Sequence, residues 1–283
     1  MVQRPIRSKG IVMKTNHILS ASSEILKKAK NFGATLAGFA NVNDLKIAPS
    51  FTFAPKMPGA GEGVGTRKNE LGLAPGEVAW PKDSKSVLVI AVEHPADKPE
   101  MDWWFGRVDP PGNRILARVV TDMCAWIEDT YDIRVFHLPY HIEKGGTYLK
   151  DSAVMAGLGC IGKNNILVTP EYGPRVRLRA LTMDVAVPST GPIPFDPCRD
   201  CDMPCRRACP QGAFNNALYN PKDYGQDRLP GRNGVFARPV CNIQMEEDNN
   251  RAKEQKVDGF DAPVKLIKYC RNCELACPVG KSA

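Results

Sequence analysis

The chain has 283 residues, of which 43% are hydrophobic and 24% charged, with 24 glycines and 24 prolines. That composition excludes a collagen-like repeat, a coiled coil or a disordered chain as the main architecture, and the length suffices for a real core in one large domain or two smaller ones. The formal charge of +7 suits acidic partners such as phosphates or nucleic acid, but a solvated basic surface is the commoner cause, and no apolar run is long enough to cross a bilayer.

The first residues, Met1 to Thr15, are charged and carry neither the apolar core of a secretory signal nor a twin-arginine pair, so a cytoplasmic protein is expected. A helix is predicted over Ser20–Phe32, where Ile25, Leu26 and Ala29 recur at helical spacing and Gly33 supplies a stop. Thr35–Ala40 reads as a short strand, and Ser86–Val92 as a buried one. Between them, Pro49–Gly76 is rich in glycine and proline and is expected to be a long loop. Trp103 and Trp104 suit core packing or an interface better than stacking on a ligand. Ile115–Tyr131 is an amphipathic helix with Cys124 on its apolar face, followed by a strand near Ile133–His137. Alternating helices and strands indicate an α+β, α/β-like domain.

Gly157-Leu158-Gly159-Cys160-Ile161-Gly162 matches G-x-G-x-x-G. In a dinucleotide-binding fold that motif follows a strand and opens a helix. Here the order is reversed, with helical residues Tyr148–Met155 before it and a strand, Ile166–Thr169, after it. The glycines instead suit turns or the close approach of backbone to something flat.

Eight of the ten cysteines crowd the C-terminal part. One run is Cys198-x2-Cys201-x3-Cys205-x3-Cys209-Pro210, a second is Cys270-x2-Cys273-x3-Cys277-Pro278, and Cys241 stands between them. Two-cluster ferredoxins use similar runs, in which the cysteine before proline ligates the other 4Fe–4S cluster. Crossing the prolyl cysteines assigns Cys198, Cys201, Cys205 and Cys277 to one cluster, and Cys209, Cys241, Cys270 and Cys273 to the other. The extra residue between Cys201 and Cys205 departs from the ferredoxin spacing. Two structural zincs, or one cluster with spare thiols, are the alternatives. The lack of histidine in this region and the prolines after Cys209 and Cys277 weigh against zinc.

The stretch Ala156-Gly157-Leu158-Gly159-Cys160-Ile161-Gly162-Lys163-Asn164, continuing through Leu167 and Thr169-Pro170-Glu171-Tyr172-Gly173 to Arg175, resembles a signature shared by epoxyqueuosine reductases and corrinoid-dependent reductive dehalogenases. With the cysteine runs downstream, the resemblance spans most of residues 20–278. It implies a cobalamin-binding domain related to the nitroreductase fold over residues 1–194, fused to a bacterial-ferredoxin-like domain with two 4Fe–4S clusters over residues 195–283. It implies base-off cobalamin between the two, held by Gly157, Gly159, Cys160, Gly162, Lys163, Asn164, Thr169 and Pro170. One cluster would reduce cobalt toward cob(I)alamin, and the other would take electrons from an external low-potential donor of ferredoxin or flavodoxin type. His94, His137 and His141 are then structural rather than cobalt ligands.

An ungapped count from Ala156 places Glu143 where epoxyqueuosine reductases carry an aspartate proton donor, and Lys150 where they carry arginine. Tyr140 and Tyr148 flank Glu143 and are alternative donors of the dehalogenase kind. The resemblance therefore implies a reductase that removes oxygen or halogen from a small molecule or a modified nucleoside, acting without a membrane. The chain ends at Ala283, without the helical-repeat region that suits tRNA in epoxyqueuosine reductases, which argues against tRNA itself. The alternative is an electron-transfer protein that reduces the corrinoid of a partner and has no substrate of its own.

Overall fold

The computed structural model describes residues 15–56, 72–73 and 76–280. The charged N-terminus read above and most of the predicted Pro49–Gly76 loop lie outside the described residues, as does the side chain of Glu143. In chain order the elements are α1 (Thr15–Asn31), β1 (Leu36–Asn41), α2 (Val42–Lys46), α3 (Pro49–Phe53), β2 (Ser86–Glu93), β3 (Trp104–Phe105), α4 (Pro111–Tyr131), β4 (Val135–His137) and α5 (Leu149–Met155). They continue with β5 (Cys160–Ile161), β6 (Leu167–Val168), β7 (Val176–Met183), α6 (Pro204–Arg207), α7 (Pro221–Tyr224), α8 (Arg238–Arg251), β8 (Lys253–Gln255), β9 (Val264–Ile267) and α9 (Asn272–Leu275).

The centre is a four-stranded sheet in the order β1-β2-β7-β4, with every neighbouring pair antiparallel. An antiparallel sheet commonly leaves one face to water and alternates accordingly. This one is covered on both faces, which is why β2 reads SVLVIAV without a polar break. Leu88, Ile90 and Val92 pack with Ile25 and Ala29 of α1 and with Leu116, Val119, Met123 and Ile127 of α4. Val87, Val89 and Ala91 point the other way, onto Val42 and Leu45 of α2 and Ala153 of α5. Fully burying a Leu or Ile contributes about 1.5–3 kcal/mol, so β2 anchors both layers.

The predicted helices and strands fall on observed ones, with differences that have local causes. α4 begins at Pro111, before the predicted Ile115, because proline fits the first helical turn, where its missing N–H costs nothing. Gly112 extends that turn against the ring of His94, where an added Cβ would lie 2.1 Å from Nε2. The expected loop opens with a helix, α3, again with proline at its first position. β7 went unpredicted because Arg177 and Arg179 interrupt its apolar pattern.

Two further links cross residue 194, where composition divides the chain. β3 pairs with β9 in a small antiparallel sheet, β3-β9-β8. Gly280 and Gly173 also meet closely: a Cβ on Gly280 would fall 2.2 Å from the Gly173 nitrogen. Among the described residues no helix is long and apolar enough to cross a membrane.

The sheet and α5 meet at glycines. A Cβ on Gly38 would lie 2.2 Å from the Ala156 carbonyl oxygen, and Gly157, at φ +74°, packs against the Thr190 carbonyl. Gly157→Ala must adopt left-handed backbone and displace that carbonyl, at a cost of about 2 kcal/mol or more. Thermal unfolding should fall by roughly 4–8 °C; an unchanged Tm would contradict this packing.

Candidate functional site

The thiols gather in two groups. Cys205 lies within electrostatic reach of Cys277, Cys198 and Cys201, and all four line one small cavity with Lys163 and Asn164. Cys273 lies within reach of Cys241, Cys270 and Cys209, and Cys270 within reach of Cys209 and Cys241. These are the two groups obtained by exchanging the prolyl cysteines between the runs. Burial pushes the Cys205 thiol up to about 11 and the Cys273 thiol up to about 12, so both are protonated in the free chain near neutral pH. A thiolate-binding metal would have to displace those protons.

The donor set fits an iron–sulfur cluster in a second respect. Backbone N–H groups point at sulfur: Met203 donates to Cys201 Sγ at 3.4 Å, Ala213 to Cys209 Sγ at 3.3 Å and Asn272 to Cys270 Sγ at 3.5 Å. Such donors stabilise thiolates and tune clusters. A single zinc needs its sulfur ligands about 2.3 Å from the ion. Among the described residues no three His, Cys, Asp or Glu side chains converge to hold one ion.

Beside the first group lies the main cavity, about 540 Å³, within the range of small-molecule and cofactor sites. Its walls come from α3 (Pro49, Ser50, Phe53), α5 (Lys150, Asp151, Val154, Met155) and the turn at Gly159-Cys160-Ile161, closed by residues 192–196 and 228–232. The lining is mainly apolar. Its polar groups are few and placed: Arg232 binds Asp196 through both guanidinium nitrogens at 2.6 Å, and Lys150 Nζ donates to the Asn165 carbonyl at 2.7 Å. Burial pulls the Lys150 ammonium down to about 8. Asp151 is 2% exposed; its Oδ1 accepts from the Ser50 N–H at 3.0 Å, and its Oδ2 has no partner. Cys160 joins the two regions, since it lines the cavity and lies within electrostatic reach of Cys198 and Cys277.

Of the residues expected to hold cobalamin, Gly159 and Cys160 line this cavity. Lys163 and Asn164 face the cysteine loops instead: Lys163 Nζ donates to the Arg199 carbonyl at 3.2 Å, and its own carbonyl accepts from Arg206. Gly157 and Gly162 pack against their own chain, Gly162 near Asn164 Oδ1 and Val168. Thr169 is buried, its hydroxyl donating to the Gly173 carbonyl at 3.0 Å, and the adjoining Pro170 is exposed. The expected donors Tyr140 and Tyr148 do not line the cavity. The Tyr140 ring stacks under the Arg179 guanidinium at 3.7 Å, and the Tyr148 hydroxyl donates to the Gly76 carbonyl at 2.6 Å. Glu143 sits on a single helical turn, Ile142–Lys144. None of His94, His137 and His141 lines the cavity. Trp103 packs beneath Lys268 Nζ at 3.9 Å, away from it.

Sequence reasoning missed the ion network that fixes the second cysteine run. Asp102 Oδ1 receives His94 Nδ1 at 2.7 Å and Arg177 Nε at 3.0 Å, and its Oδ2 lies 2.8 Å from Arg271 Nη1. Glu274, adjacent to Cys273, pairs with Arg177 at 2.9 Å and with Arg271. Burial pushes the Asp102 carboxyl up, but the His94 hydrogen bond with the charges of Arg177, His94 and Arg271 outweighs it and holds the group below the ordinary carboxylate range. No local motif announces such a network, because its members come from three distant stretches, 94–102, 177 and 271–274.

No family model matches the chain. It is 22% identical over 272 residues to the epoxyqueuosine reductase of Lactococcus garvieae, covering 93% of this chain and 70% of that one. A crystal structure of epoxyqueuosine reductase with an epoxyqueuosine-modified tRNA stem loop superposes with a TM-score of 0.60 at 19% identity, over 94% of this chain and 66% of the other. A catabolic reductive dehalogenase in complex with 3-bromo-4-hydroxybenzoic acid superposes with a TM-score of 0.57 at 17% identity, over 91% of this chain but 31% of its own. The likeness of fold thus runs through almost all of this chain, which spans about two thirds of the first two proteins and a third of the last. These matches place the protein among the oxidoreductases. Its relatives and structural neighbours are thus epoxyqueuosine reductases and reductive dehalogenases, and the likeness supports that superfamily.

Asp102→Asn should cost about 3 kcal/mol near neutral pH, because the half-buried Arg177 and Arg271 each lose one of two carboxylate partners. The wild-type Asp102 carboxyl titrates lower in the folded than in the unfolded chain. Its contribution is therefore complete above about pH 4 and lost as pH falls through the folded value. Denaturant titrations of both proteins should converge as the pH is lowered; a constant difference would refute this role.

Proposed function

We propose that the protein is a corrinoid- and iron–sulfur-dependent reductase that removes oxygen or halogen from a small organic molecule or a modified nucleoside. The observation that carries this reading is the cavity whose wall, at Cys160, adjoins a four-thiol group. In this reading Cys198, Cys201, Cys205 and Cys277 hold the 4Fe–4S cluster nearer the cavity, and Cys209, Cys241, Cys270 and Cys273 hold the farther one. Exposure of Cys270 supports entry of electrons at the farther cluster from an external low-potential donor of ferredoxin or flavodoxin type.

The cavity would take cobalamin base-off, since the family signature supports a corrinoid and none of its lining residues is a histidine. When bound, cobalamin supplies a strongly reducing metal centre. The chain's own part is to enclose that centre with apolar walls such as Phe53, Val154 and Phe195, so that water is kept from it. It must also deliver a proton, because the bond cleavage leaves a basic carbon or oxygen. Glu143 is the proposed donor. Its turn is fixed by Gly145 and Gly146, where added Cβ atoms would fall 2.5 Å from Ala79 Cβ and 2.2 Å from the Pro139 carbonyl.

Anaerobic reconstitution should yield about eight irons per chain. Cys209→Ser, although it lies in the first run, should spoil the cluster otherwise built from Cys241, Cys270 and Cys273. Wild-type iron near four per chain would rule out the paired clusters. The cob(II)alamin form should lack nitrogen superhyperfine splitting in its electron paramagnetic spectrum, and clear splitting would mean an axial imidazole. Glu143→Gln should lower turnover about 10²–10⁴-fold with iron content and cobalamin binding retained; full turnover would pass the donor role to Tyr140 or Tyr148.

A further inference from the structure

The main cavity contains one polar group that the fold leaves incomplete. Asp151 is 2% exposed, and in native proteins a buried carboxylate oxygen without a donor is rare and costly. One of its oxygens is satisfied by the Ser50 N–H at the start of α3. The other has no protein partner. The neighbouring Lys150 attracts Asp151 by charge, but the hydrogen bond its Nζ makes, at 2.7 Å, goes to the Asn165 carbonyl. Asp151 borders the 540 Å³ cavity, most of whose wall is apolar. The missing donor is therefore sought in whatever fills that cavity.

We infer that Asp151 is a ligand-recognising residue whose free oxygen accepts a hydrogen bond from a primary carboxamide N–H2 on the rim of the bound corrinoid. This rests on the reading that the cavity takes a corrinoid, a macrocycle whose periphery carries neutral carboxamides. A carboxamide offers the donor that the carboxylate lacks and adds no charge to a poorly solvated site. A carboxylate at the same place on the ligand would meet Asp151 as a like charge across a low-dielectric gap. Asp151 would thus select amidated corrinoids over their acid forms. Hydrogen bonds to charged groups contribute about 1.5–3 kcal/mol, which corresponds to roughly 10- to 150-fold in affinity.

The test is anaerobic spectral titration of the cluster-loaded protein with cobalamin and with its mixed monocarboxylic acids. The wild type should bind cobalamin, and at least one monocarboxylic acid should bind about ten- to hundredfold more weakly. Asp151→Asn should weaken cobalamin binding and narrow that gap, because its amide no longer repels an acid. Iron content and Tm identify a variant that has merely misfolded, and the wild-type ligand series stands without it. If no corrinoid binds the wild type, the functional reading above fails. If cobalamin binds but all its monocarboxylic acids bind equally well, or Asp151→Asn binds it unchanged, that reading stands and the inference about Asp151 is overturned, the free oxygen being satisfied by water.

Discussion

Five ionisable side chains meet where the edge of the cysteine arm crosses the central sheet. His94 follows β2, Asp102 precedes β3, Arg177 lies in β7, and Arg271 and Glu274 belong to the run that carries Cys270, Cys273 and Cys277. Asp102 and Glu274 each pair with both Arg177 and Arg271, so each carboxylate has cationic neighbours in a place where water is scarce. Buried charges of this kind add little net stability over well-packed apolar residues, but a broken set is costly, which makes the arrangement a strong specifier of position. The positions of β3, of β9 and of the second cysteine run depend on it. A thiol group completed by residues from two distant runs requires such a fixed point.

The family signature gains a mechanical meaning from the same geometry. Arg175, at its end, donates to the Val279 carbonyl at 2.7 Å and is 5% exposed, although a lone arginine there suggests only a charge. Lys163 and Arg206 tie the glycine turn to the first run, and Gly173 meets the Val279 carbonyl so closely that a Cβ would fall 2.0 Å from it. Much of the signature therefore grips the cysteine loops. Its middle, at Gly159, Cys160 and Ile161, forms cavity wall.

How much could be read from the sequence follows from the range of the forces involved. α4 and β2 were legible because their apolar periodicity records what buries them. The crowding of eight thiols was legible because the spacing within each cysteine run is local, and the neighbourhoods Cys205 and Cys273 keep join residues from both runs. β7 was not, since its arginines serve the ion network and the Tyr140 ring rather than solvent. Nor was the cavity, whose walls come from residues 48–53, 150–161, 192–196 and 228–232 and converge only in three dimensions. Glycine carried an ambiguous signal: Gly157 serves chain-to-chain approach, while Gly159 serves that and the cavity wall.

The exchange of cysteines between the two runs bears on how the protein comes to be made. Each four-thiol group draws from the run after Ile267: Cys277 completes one, and Cys270 and Cys273 complete the other. While the ribosome is still adding residues before Cys270, neither group is whole, and five thiols stand ready without a finished site. A group that needs all four thiols of either set can therefore be completed only after translation has passed Cys273 or Cys277, when the sheet around β2 has already emerged. A chain interrupted before Cys277 loses the completion of a thiol group begun far upstream, which makes this second run a checkpoint on the synthesis of everything before it.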